Sequence, residues 1–336
     1  MRQISICNTV EEIDKKQWKD LLKSSKHRSF FQSLSCFNFY DRLSFLESFV
    51  VAVNENDILK GVIVGYIQKD GGRIKSYLSR RAIINSGPLL ASDISDEALK
   101  AILSACIKLL KGHSIYIESR NFADYSAYQD IFRQTGFIYK PHLNFQIDTS
   151  SEEVALQNMG KSRKRDIKVT LRDGAKIICS PTLSDIEQYY SVLEKLYANK
   201  IKTPLFPFEF FKKLNEEEYG KFLLVSYESK IIGGTVCVGL PDGSLYEWFA
   251  CGKDGVYKNI HASTLATFAG IEYAYTHGFP IFDMMGAGKP DKDYGVREFK
   301  SKFGGEFVEN GRFIFIQKPL LFRIGKLGVK LIKKFS

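Results

Sequence analysis

The sequence is poor in the residues that build metal sites and disulfide frameworks. Its six cysteines, Cys7, Cys36, Cys106, Cys179, Cys237 and Cys251, are scattered over 336 residues. No two have the C-x-x-C spacing of a zinc ribbon or a thioredoxin-type motif. Their mostly apolar neighbours predict buried, reduced thiols. The five histidines, His27, His113, His142, His261 and His277, form neither H-x-x-x-H nor H-E-x-x-H, so no metal is expected. Long apolar runs are missing as well. Nothing approaches the roughly 20 consecutive apolar residues of a membrane span. No charged-then-apolar leader opens the chain, and a cytoplasmic location is expected.

What is present is an ordinary globular mixture with a positive surplus. The chain is 44% hydrophobic and 26% charged, a composition that buries a normal core. Its length predicts two domains. With 48 Lys and Arg against 38 Asp and Glu, the net charge is +10. That surplus fits an anionic partner, whether nucleic acid, acidic lipid or a phosphorylated substrate, and it also fits plain solubility.

Hydrophobic spacing orders the chain. Thr9-Val10-Glu11-Glu12 predicts a capped helix start, and Leu34 to Arg42 resumes a helical pattern. Strands are expected at Phe49 to Val53 and Ile58 to Ile67, around a turn at Asn54 to Asp57. A hairpin turn at Asp70-Gly71-Gly72 and an extended piece at Lys75 to Leu78 follow. Asp96 to Lys111 reads as an amphipathic helix capped by Ser95 and ended by Gly112. A strand to Glu118, a helix from Tyr125 and a strand from His142 to Ile147 complete the first half. The second half repeats this order. Strands at Phe222 to Tyr227, Lys230 to Val238 and Ser244 to Ala250 precede an amphipathic helix from Ile260 to His277. A short strand at Pro280 to Phe282, a helix at Val296 to Phe303 and a strand at Arg312 to Gln317 end it.

The repeat can be matched by residue. Gly61-Val62-Ile63-Val64-Gly65 with Asp70-Gly71 corresponds to Gly233-Gly234-Thr235-Val236-Cys237 with Asp242-Gly243. Gly112 to Glu118 corresponds to Gly278 to Asp283, one residue shorter. A repeat this long means a duplicated domain rather than a solenoid. The expected fold is therefore α/β (α+β): two tandem copies, each a mixed, mainly antiparallel sheet flanked by helices. The expected boundaries are 1–150 and 151–317, with a basic amphipathic tail over 318–336.

Three stretches carry chemistry. In Phe282-Asp283-Met284-Met285-Gly286-Ala287-Gly288 a short strand ends in an acid and a glycine-rich loop, and Tyr294 to Glu306 then delivers Lys300. Glycines let backbone approach a ligand, and a lysine held there is a point charge for an anion or a developing oxyanion. A glycine-rich turn with a solvated lysine is the plainer alternative. Lys161, Lys164, Arg165, Lys168 and Arg172 fall on one helix face. They form either a solvated linker helix or a phosphate-contacting stripe. In the tail, Leu320, Ile324, Leu327, Leu331 and Phe335 oppose Arg323, Lys326, Lys330, Lys333 and Lys334. That is the pattern of a helix lying on an anionic membrane, or of one docked on its own protein with the lysines solvated.

Several of these residues resemble a known family. Phe30-Phe31-Gln32-Ser33, Ser86-Gly87-Pro88-Leu89, Tyr116 to Asn121, the Lys161 to Arg172 helix, Phe282 to Gly286, and Gly295-Val296-Arg297-Glu298-Phe299-Lys300-x-x-Phe303-Gly304-Gly305-Glu306 together resemble the FemA/FemB/FemX family. The resemblance runs from about Phe30 to Gln317. It implies two tandem GNAT-like (acetyltransferase-like) domains. It implies transfer of an amino acid from aminoacyl-tRNA to an amine of a UDP- or lipid-linked muropeptide, with no separate cofactor. By the same resemblance Lys300 is the catalytic lysine, Phe299 lines the acceptor or acyl pocket, and Gly286, Gly295 and Gly304 frame the substrate-facing loops. Tyr197 and Lys202 look like the family's acceptor-binding segment, and the basic stripe, if it contacts phosphate, would meet RNA or a nucleotide-linked substrate. Asp283 either handles the amine's proton or caps the loop. Tyr246 and Trp248 either wall the cleft or pack in the core. No paired His or Cys nucleophile is evident, which favours direct transfer.

Two departures are visible. The Gln/Arg-x-x-Gly-x-Gly/Ala loop of acyl-CoA-using GNAT enzymes has no match in Lys253 to Asn259. No heptad run supplies the coiled-coil arm of some family members. An acyl-CoA- or carrier-dependent N-acyltransferase acting on an amino sugar of a surface polysaccharide is the alternative. A non-enzymatic RNA- or membrane-binding module is the third reading.

Overall fold

The computed structural model describes residues 3–69 and 79–326. The expected hairpin turn at 70–72, the extended piece at 75–78 and the tail beyond 326 lie outside them. Two compact units emerge. One is built from described residues of Met1–Pro141 and Asn310–Ser336, the other from His142–Glu309. The first unit takes β1 (Ile4–Cys7), β2 (Leu46–Glu55), β3 (Ile58–Gln68), β4 (Arg81–Asn85), β5 (Leu89–Leu90), β6 (Tyr116–Arg120) and β7 (Ile138–Lys140). The second takes β8 (Leu143–Asp148), β9 (Lys176–Ile178), β10 (Gly220–Tyr227), β11 (Lys230–Gly239), β12 (Ser244–Gly252), β13 (Ile281–Asp283) and β14 (Glu306–Glu309). The last strand, β15 (Arg312–Ile316), returns to the first unit.

The two sheets have one topology. The first runs β1-β2-β3-β4-β6-β15-β7, with β5 beside β3, and the second, read from its far edge, runs β9-β10-β11-β12-β13-β8-β14. Each contains one parallel pair, β4 with β6 and β12 with β13, among antiparallel neighbours. The expectation of two mixed, mainly antiparallel copies is met. In both sheets the strand after the parallel pair comes from a distant part of the sequence: β15, after the whole second unit, inserts in the first, and β8, the strand that opens the second unit, inserts in the second. The boundaries expected at 150 and 317 therefore shift to 141/142 and 309/310. Alternating apolar residues tell which face of β8 is buried. They do not tell which sheet accepts it.

Local signals hold with small shifts. Ser95 accepts from Ala98 N and starts the Asp96–Leu109 helix, whose Leu99, Ile102, Leu103 and Cys106 pack into the first core. The helix expected after Thr9 begins instead at Lys15, capped by Asp14. Glu12 spends its carboxylate on Asn8 N and Thr9 N without any helix between them. In the second unit the Ala262–Thr276 helix is apolar almost all round rather than amphipathic, as suits a helix buried in the middle of a core. The Leu183–Leu196 and Phe208–Asn215 helices pack on the other side of that sheet, against β11, β12 and β10. Five cysteines are buried free thiols, while Cys179 is exposed. No helix among the described residues is long and apolar enough to cross a membrane.

Candidate active site

The site grows out of a strand pair that stops. β12 and β13 run parallel for three residue pairs, ending at Tyr246 beside Asp283. β13 ends there, while β12 continues to Gly252. A bulge in the β11–β12 pairing puts Val236 opposite Phe249 and Cys237 opposite Glu247, leaving Trp248 as the extra residue. Bulges re-aim side chains. Trp248 meets Phe210, ring edge to face, at 4.9 Å, whereas Glu247 is buried on the Thr267 side.

Asp283 is fully buried. Its carboxylate accepts from Asn144 Nδ2 at 2.8 Å, Gln146 Nε2 at 2.9 Å and Met285 N at 2.7 Å. Burial pushes its carboxyl up, and those three donors with Lys300 pull it back. A carboxylate so committed organises the loop. Of the two roles read for it, the bond from Met285 N displays the loop-capping one. Asn144 and Gln146 both lie on β8, so the inserted strand supplies two of the three donors. The first unit echoes this. Glu118 sits at the matching place in β6, and the inserted β15 gives it Arg312 at 2.7 Å, beside Arg120 at 3.1 Å. Burial raises the Glu118 carboxyl, but the two guanidiniums prevail and hold it at about 2.

The Asp283 clamp shapes the backbone that holds the lysine. Met285 and Gly286 have φ of 52° and 119°, a turn that suits glycine at its second position. Gly286 N donates to Asn144 Oδ1. Lys300 Nζ, from the Gly295–Ser301 helix, donates to Met284 O and, at 3.0 Å, to Gly286 O. Arg297, one turn earlier, donates to Ala287 O at 2.9 Å. Lys300 Nζ stands 3.9 Å from Glu247 Oε2, with the lysine side chain 13% exposed. Burial lowers the lysine's pKa, while Glu247 and Asp283 raise it.

Sequence reasoning missed four contributors. Glu247 lies between two aromatics, Tyr246 and Trp248, and was not singled out. Asn144 and Gln146 lie in the other half of the sequence. Arg163 sits within the basic helix but off the predicted stripe. Its guanidinium lies 4.4 Å from the Phe299 ring, donates to Phe299 O and reaches Thr264 Oγ1 at 3.0 Å. Arg163 thus braces the helix that carries Lys300. The five stripe residues, Lys161, Lys164, Arg165, Lys168 and Arg172, are all exposed.

The other expected residues scatter. Phe299 is half-buried under Arg163 and against Phe303. Gly304, with φ +84°, packs where a Cβ would meet Asn158 O at 2.1 Å. That makes it a packing glycine rather than a substrate-facing one. Gly295 has open space around it, so close approach does not explain it. Tyr246 is buried beside Asp283 in the register. Tyr197 begins a π-helical turn, Tyr197–Ile201, that ends at exposed Lys202 with φ 56°. Its ring lies 6.5 Å from that of Phe249.

Comparisons with known proteins agree with this architecture. The FemAB family model matches residues 226–330, a segment that contains Glu247, Asp283 and Lys300. No curated protein matches the chain. Among solved structures it is similar to one of FemX, with a TM-score of 0.71 at 12% identity over 95% of this chain and 99% of that one. It is similar to L-PGS from Bacillus licheniformis, with a TM-score of 0.58 at 14% identity over 94% and 96%. A tandem GNAT protein from the clavulanic acid biosynthesis pathway also scores 0.58, at 10% identity over 94% and 99%. The acyltransferase expectation is borne out at the level of family and fold. The resemblance to the FemA/FemB/FemX family read in the sequence is borne out as well, by the family match over 226–330 and by fold over nearly the whole chain.

Proposed function

We propose that the chain is an aminoacyltransferase that moves an amino acid from aminoacyl-tRNA to an amine of a peptidoglycan precursor. The observation that carries this reading is the mounting of Lys300. Two of its three N–H donors are spent on Met284 O and Gly286 O, so the ammonium has a fixed place and one donor to spare. A neutral amine attacking the ester carbonyl forms a C–N bond and a tetrahedral oxyanion, which that donor stabilises. Collapse breaks the C–O bond to the ribose, the amine nitrogen gives up a proton, and the leaving hydroxyl takes one. No net proton is consumed and no covalent enzyme intermediate is required.

Asp254 argues against acyl-CoA as the donor. Its Oδ1 accepts from Ser263 N at 2.9 Å. The N-terminus of the Ala262–Thr276 helix, where an anionic pyrophosphate would be drawn, already carries a carboxylate. The exposed stripe from Lys161 to Arg172 supports a polyanionic donor such as tRNA. The test is transfer of labelled amino acid from a pool of charged tRNAs to UDP- or lipid-linked muropeptide. Label should enter the muropeptide; no incorporation from any charged tRNA would remove the donor assignment.

The tail favours work at a membrane surface. Residues 319–326 are helical, and Leu320 and Ile324 are 74% and 56% exposed. Phe322 instead packs on Tyr116, ring edge to face, at 5.2 Å. One apolar residue holds the helix to its unit while two others face outward near Arg323 and Lys326. Binding to vesicles containing anionic lipid is therefore expected, with loss on truncation after Gln317. Equal binding by the truncated protein would leave the tail a purely internal packing role.

A further inference from the structure

Glu247 is the buried carboxylate that this chemistry leaves without a task. Its side chain is 3% exposed, and its Oε1 has no hydrogen-bond partner among the described residues. Other buried acids of this chain are saturated, Asp283 by three N–H donors and Glu118 by two guanidiniums. A carboxylate withdrawn from water without that saturation is costly to keep. What Glu247 does have is Lys300, with Nζ 3.9 Å from its Oε2. It lies two residues after Leu245 in unbroken register, before the bulge, and so shares that residue's buried face of the sheet.

We propose that Glu247 is the positioning counter-charge of Lys300, holding the lysine as an ammonium for the transfer step. The proposal rests on the reading of this site as the acyl-transfer site. The groups around the pair are few. Asp283 at the end of β13 faces the ammonium, but its charge is spread over three donors. Cys237 and Thr235 from β11 and Thr267 from the Ala262–Thr276 helix face Glu247. Arg163 approaches the lysine-bearing helix on the Phe299 side. Glu298 and Lys302, on that helix, pair with each other at the surface. Burial raises the Glu247 carboxyl, and Lys300 first, then Thr267 and Thr235, pull it back; Lys300 is its nearby cation. Burial works against a charged lysine here, and the carboxylate opposes it.

Removing a negative neighbour lets the ammonium lose its proton at lower pH. In Glu247→Gln the titration midpoint of Lys300 should fall by about one to two pH units. It can be read from the pH dependence of acetic anhydride labelling at Lys300, quantified by mass spectrometry on the full chain without substrate. Glu247→Asp, which keeps the charge but draws it back, should show a smaller fall. In the transfer assay the alkaline limb of the kcat profile should move by the same interval, with KM held. A merely structural glutamate would lower the melting temperature and leave both midpoint and limb in place. An unchanged midpoint in folded Glu247→Gln overturns the proposal, as does one in Glu247→Asp if the glutamine variant does not fold. The labelling needs neither donor nor acceptor. A shifted midpoint in a protein that transfers nothing would fault the assigned reaction and keep the pairing.

Discussion

Replacing Lys300 by Met is expected to lower turnover at least about a hundredfold, because one oxyanion-stabilising donor is typically worth about 3–4 kcal/mol of barrier. Methionine keeps the length of the stem and the packing of the Gly295–Ser301 helix while removing every donor. The loss should fall on kcat with KM little changed, the mark of an interaction made only in the transition state. Met284 O and Gly286 O lose their donor in this variant, so some loosening of the loop is also expected. Arg297 still ties the same helix to the loop through Ala287 O, which limits the loosening. Lys300→Arg serves as the comparison: it restores charge but not the compact geometry of an ammonium between two carbonyls. Steady-state kinetics with charged tRNA decides the matter, and unchanged turnover in Lys300→Met would remove the lysine from the mechanism.

The asymmetry between the two copies bears on where that chemistry sits. The residue matching Lys300 in the first copy is Arg133, after Phe132 as Lys300 follows Phe299. Phe132 is buried in the core, but Arg133 is exposed and paired with Asp130. The framework was thus legible from the repeat. The strand, its terminal acid and the helix that follows recur because both copies need them to close a sheet. The lysine's inward turn belongs to the second copy alone, and the glycine loop before it was the visible sign.

Other features left no local trace. Asn144 and Gln146 reach Asp283 from a strand 137 to 139 residues away in sequence. Spacing within either half could not reveal that β8 and β15 change places. Glu247 follows the alternation from Leu245 onto the buried face, with the bulge coming only after it, but nothing in that spacing marks an acid as the neighbour of a lysine on a distant helix. The basic helix was read by charge. Charge marked its five solvated residues and passed over Arg163, whose packing on Phe299 is what ties that helix to the site.

Asp283→Ala is expected to destabilise the protein by about 3 kcal/mol, since it strands three buried donors that now share one carboxylate. For a unit the size of His142–Glu309 that corresponds to a fall in melting temperature of roughly 6–12 °C. Turnover should fall with it, because the carbonyls that hold Lys300 are shaped by the same clamp. Asp283→Asn separates structure from chemistry. It keeps the size and one acceptor oxygen, and the Gln146 amide can reverse to offer its own oxygen to the new NH2 group. Most of the stability should return, and turnover should return with it, because no proton is asked of this residue. A stable Asp283→Asn variant with turnover reduced a hundredfold would return Asp283 to the proton-handling role that its burial and three hydrogen bonds argue against. Thermal melts and transfer kinetics on the same two variants give the answer, since a loop clamp moves both readouts together and a catalytic acid–base moves only the second.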